Sequence, residues 1–241
     1  MIESFGCSNV WCVRTRRAAS IESVHDTPAN QGDAKQRLIE AGLRLFGAYG
    51  FDGTSSRTLA NTARVNLAAI PYYFGGKEGL YRAAAQYMVE FNLKELSPVL
   101  TEIDRVTAAG TCSRKVARQL LHTLLKRFSE VVIGPGLPDE AATFVMREQL
   151  HPGAAFEILY EGMMRGILSA TAKLLAILLK GQSDDPRLLI RAHAILGEVL
   201  IFRCGRSASL RMLGWKEFSE DHLHLIQSVI RENVDLITRD S

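Results

Sequence analysis

Apolar residues recur every three or four positions along most of this chain, and no segment alternates apolar with polar residues as a half-buried strand would. The first apolar stripe consists of Leu38, Ala41, Gly42, Leu45, Phe46 and Tyr49. This spacing places the side chains on one face of a helix. The pattern therefore predicts a first helix over 34–49, which Gly50 ends.

The rest of the chain shows the same helical periodicity, so the sequence predicts an all-α fold with about nine helices. Two short helices are expected next, capped by Ser55 and Asn66. A long helix should run from Lys77 to Leu96, and Ser97-Pro98 should begin another, since a cap followed by proline is typical of a helix start. Later helices are expected over 114–132, 140–150, 153–180, 188–202 and 219–238.

The pattern divides the chain into three parts. Residues 1–32 show no periodicity and are expected to form a flexible N-terminal extension, or residues upstream of the natural start. A basic arm that reaches DNA through Arg14, Arg16 and Arg17 is an alternative. Residues 33–80 should form a three-helix domain and residues 81–241 a larger C-terminal helical domain.

The segment 55–74 has the layout of a helix-turn-helix, with two short helices joined by a tight turn at 64–66. Such a motif binds DNA because its short second helix fits the ~12 Å major groove. The small side chains of Ala68 and Ala69 would let the backbone approach the bases. The hydroxyls of Ser55 and Ser56 and the guanidinium of Arg57 suit phosphate oxygens. Plain helical proteins also contain such hairpins, so spacing alone leaves a structural role open.

Several fixed spacings within 34–80 resemble the TetR family of bacterial transcription regulators. They are Gly50-Phe51 followed by Thr54-Ser55, the pair Leu59-Ala60, and the run Tyr72-Tyr73-Phe74-Gly75-Gly76-Lys77-Glu78-Gly79-Leu80. The segments 144–152, 193–198 and 202–206 resemble the C-terminal domain of the CecR (also called CerR) subfamily. The likeness extends from about residue 33 to the end of the chain.

The resemblance implies a sequence-specific DNA-binding transcription regulator, a repressor whose binding to a palindromic operator is relieved by a small-molecule effector. It also implies a homodimer built on the last two long helices and a cytoplasmic location. With the two caps included, the expected DNA-binding positions are Ser55, Ser56, Arg57, Asn66, Leu67, Ala68, Ala69, Tyr72, Tyr73 and Lys77.

Three positions depart from the family pattern. Arg64 stands in the turn where the family usually has Gly, which costs about 1 kcal/mol if the residue keeps a positive φ. Pro71 lies inside the recognition helix, where a bend or a tighter last turn is expected. Gly76 replaces a common Ser before Lys77, and glycine is an acceptable cap.

Composition and charge narrow the class of protein only slightly. The 241 residues carry a formal net charge of +3, which permits nucleic-acid binding without arguing for it. The four cysteines lack zinc-site spacing and suggest reduced thiols. No apolar run approaches 18 residues, so no membrane span is expected.

The region 98–180 is apolar and rich in Met and aromatic residues, which suit a cavity that adapts to its ligand. The candidate lining residues are Phe128, Phe144, Met146, Arg147, Phe156, Tyr160 and Met163. The alternative is that the apolar ones simply fill the core. Arg147 also lies beside Glu148 and His151, where an ion pair or a helix cap competes with a ligand contact.

The last two long helices carry apolar stripes that either pack against a twin subunit or close the core of the monomer. These stripes are Leu189, Ala192, Leu196, Val199 and Leu200, then Leu223, Ile226, Val229, Ile230, Val234 and Ile237. The sequence contains no nucleophile, metal, phosphate-loop or cofactor motif, so no cofactor is expected and an enzyme is disfavoured. A DNA-binding protein without a ligand, acting as an architectural factor, is the remaining alternative.

Overall fold

The computed structural model of the chain describes residues 28–239, and every regular element within that range is helical. The ten helices are α1 (Pro28–Tyr49), α2 (Ser56–Ala63), α3 (Ala69–Phe74), α4 (Lys77–Ala108), α5 (Arg114–Ile133), α6 (Asp139–Leu150), α7 (Phe156–Leu179), α8 (Pro186–Cys204), α9 (Arg206–Leu213) and α10 (Glu220–Ile237). The predicted all-α fold is therefore confirmed.

Helices α1, α2 and α3 and the first turns of α4 form a small N-terminal head. Its core is closed by side chains that are fully or almost fully buried, namely Leu38, Phe46, Leu59, Ile70 and Leu80. Helix α1 begins at Pro28, six residues before the predicted start at 34. The prediction of a non-helical extension to residue 32 is therefore wrong for 28–32. The candidate basic arm of Arg14, Arg16 and Arg17 lies outside the described residues.

Helix α4 runs without interruption through Pro98, so the predicted helix start at that residue is wrong. Proline removes one donor, the one that would bond the carbonyl of Lys94. Lys94 and Pro98 are both exposed, which places the freed carbonyl on the solvent side of the helix. The buried neighbours Leu96 and Val99 keep α4 packed on both sides of the proline, and tertiary packing offsets the local cost.

The C-terminal domain is a bundle in which α4, α5, α7 and α8 pack around one core, with α10 against α5 and α8. The boundary expected between residues 80 and 81 falls inside α4, which belongs to both parts. Helix α6 belongs to the second domain by sequence, yet it packs along α1 of the head. The two helices come so close that a Cβ on Gly47 would lie 2.5 Å from the carbonyl oxygen of Glu140.

Helix α7 is the central apolar helix, predicted over 153–180 as one α-helix. Its residues Tyr160–Met164 form a π-helical segment that the periodicity did not indicate. By length and composition alone α7 could cross a membrane. In the structure it lies inside the bundle, against α4, α5 and α8. The short helix α9 was also missed, because its eight residues carry only one buried side chain, Leu210.

Candidate DNA-binding surface and effector cavity

Helix α2 is defined at both ends by side-chain and backbone caps. The Ser55 Oγ accepts from the amide of Thr58 at 3.1 Å, as its predicted role as N-cap requires. At the other end Arg64 adopts the left-handed conformation, with φ 54° and ψ 48°. The Arg37 Nε of α1 donates to the carbonyl of Ala63 at 3.0 Å, which satisfies one of the last carbonyls of α2. Because its φ is positive, Arg64 occupies a backbone position that favours glycine.

Helix α3 begins two residues later than predicted, and its N-cap is Ala68 rather than the predicted Asn66, with no side-chain cap bond. Asn66 Oδ1 accepts from the amide of Ala68 at 2.9 Å. Pro71 lies in the first turn, where its missing amide hydrogen would have bonded the Leu67 carbonyl. That carbonyl accepts instead from the amide of Ile70 at 3.3 Å. The proline thus tightens the first turn rather than the last.

The ten predicted DNA-binding residues lie between residues 55 and 77 of the head and differ in exposure. Those that are exposed are Ser55, Arg57, Asn66, Leu67, Ala68 and Tyr72, and those that are half-buried are Ser56, Ala69, Tyr73 and Lys77. Leu67, in the turn before α3, and Tyr72, on α3 itself, stand out because their apolar and aromatic side chains are 45% and 73% exposed.

Lys77 departs from the role expected of it. Its Nζ donates to the carbonyl oxygens of Phe51 at 2.9 Å and Thr54 at 3.1 Å. The same ammonium lies 4.0 Å from the centroid of the Phe51 ring, a cation–π contact. Two of its three N–H groups are thus used inside the head. Lys77 ties the loop after α1 to the start of α4, and only one of its donors remains for a phosphate.

A cavity of about 420 Å³ lies inside the C-terminal domain, between α4, α5, α6, α7 and α8. Its apolar lining includes Met88, Phe128, Val132, Leu137, Ala142, Val145, Met146, Phe156, Tyr160, Met163, Met164, Ile167, Leu168, Leu196 and Leu200. The π-helical segment of α7 forms part of its wall, and such segments are frequent at functional sites. The size and the lining are those of a small-molecule pocket.

Five of the seven predicted lining residues face this cavity, namely Phe128, Met146, Phe156, Tyr160 and Met163. Phe144 does not, because it is fully buried with its ring 5.1 Å from that of Tyr81. Arg147 does not either, because its guanidinium donates to the carbonyls of Gly47 and Ala48 at 3.1 Å each. Both residues lie on the side of α6 that faces the head.

The junction between head and body is built around Glu148, the buried acid of α6. Its Oε1 accepts from the Tyr81 hydroxyl at 2.5 Å and its Oε2 from the Gly153 amide at 3.1 Å. Burial and the adjacent carboxylate raise the pKa of Tyr81, which therefore stays a neutral donor. The rings of Phe46 and Phe51 pack edge-on against Tyr81, so α6 holds the head through one aromatic and polar cluster.

The predicted dimerisation stripes serve the core of the monomer more than an outer surface. Most of their members are buried, among them Ala192, Leu196, Val199, Ile226, Ile230 and Val234. Two stripe members, Leu200 and Val229, are exposed instead, together with four further large apolar residues of the same helices, Ile190, Ile201, Leu225 and Leu236. Each of the two helices therefore has one apolar face in the core and a second one on the surface.

Four polar residues of the cavity wall were missed by the sequence reasoning, and these are Asn92, Gln149, His193 and Arg203. They come from α4, α6 and α8, and only tertiary packing brings them together. Arg203 lies in one of the segments on which the resemblance rests, but its type and spacing gave no sign of a pocket. Within 28–239, no cluster of His, Cys, Asp or Glu could hold a metal ion.

Taken together, an exposed short helix held on a three-helix head and a cavity in a separate helical body define a DNA-binding regulator of transcription. The comparisons with known proteins agree. Residues 38–84 match the model of the bacterial regulatory proteins of the tetR family, and residues 117–240 match the C-terminal domain of the HTH-type transcriptional dual regulator CecR.

Similar proteins cover nearly the whole chain. CecR of Shigella flexneri is 34% identical over 204 residues, which is 85% of this chain and 91% of the relative. The probable HTH-type regulator YttP of Bacillus subtilis is 34% identical over 48% of this chain and 59% of its own. A protein from Pseudomonas aeruginosa PAO1, solved as a candidate transcriptional regulator, shares the fold with a TM-score of 0.62 at 17% identity, over 89% of this chain and 95% of that one.

The chain therefore belongs to the TetR family of bacterial transcription regulators and has a C-terminal domain of the CecR type. The family and the fold are those of DNA-binding regulators, not of enzymes. Regulators of this family generally act as dimers.

Proposed function

We propose that this protein is an operator-binding repressor that a small-molecule ligand releases from DNA. The observation that carries the proposal is the double role of α6. One side of this helix lines the cavity with Val145 and Met146, and the other holds the head with Arg147 and Glu148. A ligand that favours another position of α6 will favour another position of the head, because the two cannot move independently.

In this proposal the start of α2 binds phosphates and α3 reads base edges. Ser55, Ser56 and Arg57 lie at the N-terminus of α2, where amides, hydroxyls and a guanidinium suit a phosphate. The exposed face of α3 and the turn before it carries Asn66, Leu67, Ala68, Ala69 and Tyr72, with Tyr73 beside them.

Arg64 joins this set as a phosphate contact. It is exposed in the turn between α2 and α3, and no residue within 28–239 forms an ion pair with it. Its guanidinium is thus available at the edge of the recognition helix, where a phosphate of the DNA backbone would pass. Lys77 becomes the weakest of the expected contacts, since the head already uses two of its donors.

The exposed apolar faces of α8 and α10 would form the dimer. Ile190, Ala194, Gly197 and Ile201 recur at intervals of four, three and four on α8, which makes one stripe along the helix. Asn233 of α10 donates to Glu198 of α8 at 3.0 Å and holds the two helices side by side. A twin subunit on this surface gives a two-fold axis, which matches a palindromic operator with half-sites about 34–36 Å apart.

A cytoplasmic location follows from the same proposal, because its target is chromosomal DNA and its relatives are bacterial regulators. The relative CecR is named a dual regulator, so the experiments must also show whether this protein represses or activates transcription.

The direct test is binding of the protein to the intergenic DNA upstream of its own gene. Fluorescence anisotropy should show binding that falls steeply as salt rises, about tenfold or more per doubling for several phosphate contacts. Arg57→Ala should weaken binding and lower the salt slope by about one. Arg127→Ala, an exposed arginine of α5 far along the chain from the head, is the matched control and should change neither. Equal binding to unrelated DNA of the same length would contradict sequence-specific recognition.

The ligand step has its own test. A thermal-shift screen should find small molecules that raise the melting temperature. The same molecules should weaken DNA binding in the anisotropy assay and raise transcription from a reporter promoter. A protein that no compound stabilises, and that prefers no DNA sequence, would instead fit an architectural factor.

The role of α6 in coupling the cavity to the head can be tested by removing its hydrogen bonds to the head. Arg147→Met removes both hydrogen bonds to the carbonyls of Gly47 and Ala48 without touching the cavity. This variant should bind the screened ligands within about twofold of the wild type but release DNA less completely. Release that remains complete would remove Arg147 from the coupling.

A further inference from the structure

The cavity has an unusual balance of charge for a pocket of its size. None of the residues that line it is an aspartate or a glutamate, while Arg203 carries a permanent positive charge. The other polar lining groups are the neutral amides of Asn92 and Gln149, the imidazole of His193, the Tyr160 hydroxyl and the Cys204 thiol. A cation placed here would lose its water without meeting a counter-charge, which is strongly unfavourable.

Arg203 is itself only partly neutralised. Its side chain is 12% exposed, its Nη2 donates to the Leu137 carbonyl at 2.8 Å, and the same atom lies 3.1 Å from Asp139 Oδ1 in an ion pair. Asp139 is 73% exposed, so water screens its charge and the pair is weak. No described residue accepts a hydrogen bond from the Nε or Nη1 of Arg203. The guanidinium thus retains donors and most of its positive potential at the cavity wall.

Three of the other polar lining groups already have partners within the protein. Asn92 Nδ2 donates to the Met88 carbonyl at 2.8 Å, and His193 Nδ1 contacts the Leu189 carbonyl at 2.8 Å. Gln149 Nε2 is directed at the Met164 sulfur, at 2.7 Å. Arg203 is therefore the group in the lining with strong hydrogen-bonding capacity to offer a ligand.

The apolar part of the cavity favours a flat body. The rings of Phe156 and Tyr160 lie nearly parallel, with an interplanar angle of 14° and centroids 5.9 Å apart. They stand at the start of the π-helical segment, beside Met163 and Met164. Aromatic faces and thioethers both make favourable contacts with aromatic rings.

We propose that the effector is a flat, apolar molecule with one anionic head group, which Arg203 binds, and that the cavity excludes cationic molecules. This inference rests on the proposed function in one respect, that the cavity is the effector site. It names the chemical class of the effector and the residue that selects it.

The experiment compares three probes that share a naphthalene ring and differ in the head group. They are 2-naphthoate, 2-naphthylmethanol and 2-naphthylmethylamine, and their affinities for the full chain are measured by isothermal titration calorimetry at pH 7. We expect 2-naphthoate to bind at least tenfold more tightly than the alcohol, and the amine to bind most weakly. Equal affinities, preference for the amine, or binding of none of the three would overturn the proposal.

Variants of Arg203 assign the preference to this residue. Arg203→Met should reduce the affinity for 2-naphthoate at least tenfold and leave the alcohol within about threefold. Arg203→Lys keeps the charge, so the three probes should bind it in the same order of affinity as the wild type. This variant keeps the test informative if Arg203→Met folds poorly. Arg206→Met is the matched control, because Arg206 lies over the Phe218 ring and does not line the cavity. A preference for the anion that survives in Arg203→Met would overturn the assignment.

The two proposals fail in different ways. DNA binding and its salt dependence are measured without any of these probes. If 2-naphthoate binds through Arg203 and DNA remains bound, the preference of the cavity for an anionic ligand stands, and the ligand-release step of the proposed function fails.

Discussion

The Tyr81 hydroxyl donates a 2.5 Å hydrogen bond to Oε1 of Glu148, and this bond joins α4 to α6 at the junction between the head and the cavity domain. Glu148 is 2% exposed, so its carboxylate depends on protein donors. Burial of this carboxylate is strongly unfavourable unless those donors are present.

Loss of that donor should destabilise the protein. Tyr81→Phe leaves Glu148 with the Gly153 amide as its recorded donor, and we expect the free energy of unfolding to fall by about 1–3 kcal/mol. Urea denaturation at pH 7 measures this. Tyr87→Phe, on the same helix and with no recorded hydrogen bond among the described residues, should stay within about 0.5 kcal/mol of the wild type. Equal losses in the two variants would count against the Tyr81–Glu148 bond.

Lys77 should act on the stability of the head more than on DNA. Lys77→Met removes two hydrogen bonds and a cation–π contact, for an expected loss of about 1–2 kcal/mol. The dependence of DNA affinity on salt concentration should be the same for Lys77→Met and the wild type, when both are measured below their unfolding transitions. A slope reduced by about one, as expected for Arg57→Ala, would restore Lys77 as a phosphate contact.

Arg64 should lower the stability of the protein and strengthen its binding to DNA. Arg64→Gly removes a side chain from the left-handed region at φ 54°, and we expect a gain of about 0.5–1 kcal/mol in thermal or urea unfolding. The same variant should bind DNA more weakly, with a lower salt slope. Arg64→Asn is the second variant, since asparagine tolerates this conformation without the charge. Unchanged DNA affinity in both variants would exclude Arg64 from the interface.

The exposed apolar faces of α8 and α10 should form the dimer interface. Leu225→Glu with Val229→Glu places two charges on the exposed face of α10 without entering the core. Size-exclusion chromatography with light scattering should then show a monomer where the wild type is a dimer. Leu150→Glu is the control, because this residue is also exposed, at the end of α6. A double variant that remains dimeric would place the interface elsewhere.

His122 should make stability depend on pH in the acidic range. Burial lowers its pKa, and the charges of Arg231 and Arg118 act in the same direction, while Asp235 at 3.1 Å opposes them. Because the folded-state pKa lies below the unfolded value of about 6.5, the stabilisation is present above that value and is lost as pH falls through the folded one.

The measurement for His122 is the free energy of urea unfolding at several values between pH 7.5 and 5. His122→Gln should lose less stability than the wild type over this interval. His224→Gln, whose histidine is exposed on α10, is the control and should follow the wild-type curve. Parallel curves for all three proteins would show that His122 does not titrate as its burial indicates.

Local signals predicted the head well. Ser55 caps α2 where expected, because a cap needs only one side chain and the amide three residues on. Asn66 bonds the Ala68 amide in the turn before α3 and does not cap the helix. The same kind of reasoning failed at Pro98 and at α9. In the first case the packing of α4 on both sides of the proline overrides the local start signal, and in the second a short helix with one buried residue leaves almost no periodic trace.

Contacts between distant segments could not be predicted in this way. Periodicity identified Ala192 and Val199 as apolar positions of α8 but not which of two apolar faces lies in the core. It marked Arg147 as polar without indicating the carbonyls of Gly47 and Ala48, a hundred residues away in the chain.

The sequence by itself determined the all-α class, most of the helices, the Ser55 cap and the family to which the chain belongs, because these depend on residues near one another in the chain. Only the tertiary structure decided that α6 holds the head, that Lys77 is turned inward, and that Arg203 lies in the cavity wall. The physical reason is that burial and hydrogen-bond partners are set by the packing of whole helices, and packing brings together side chains that no local pattern connects.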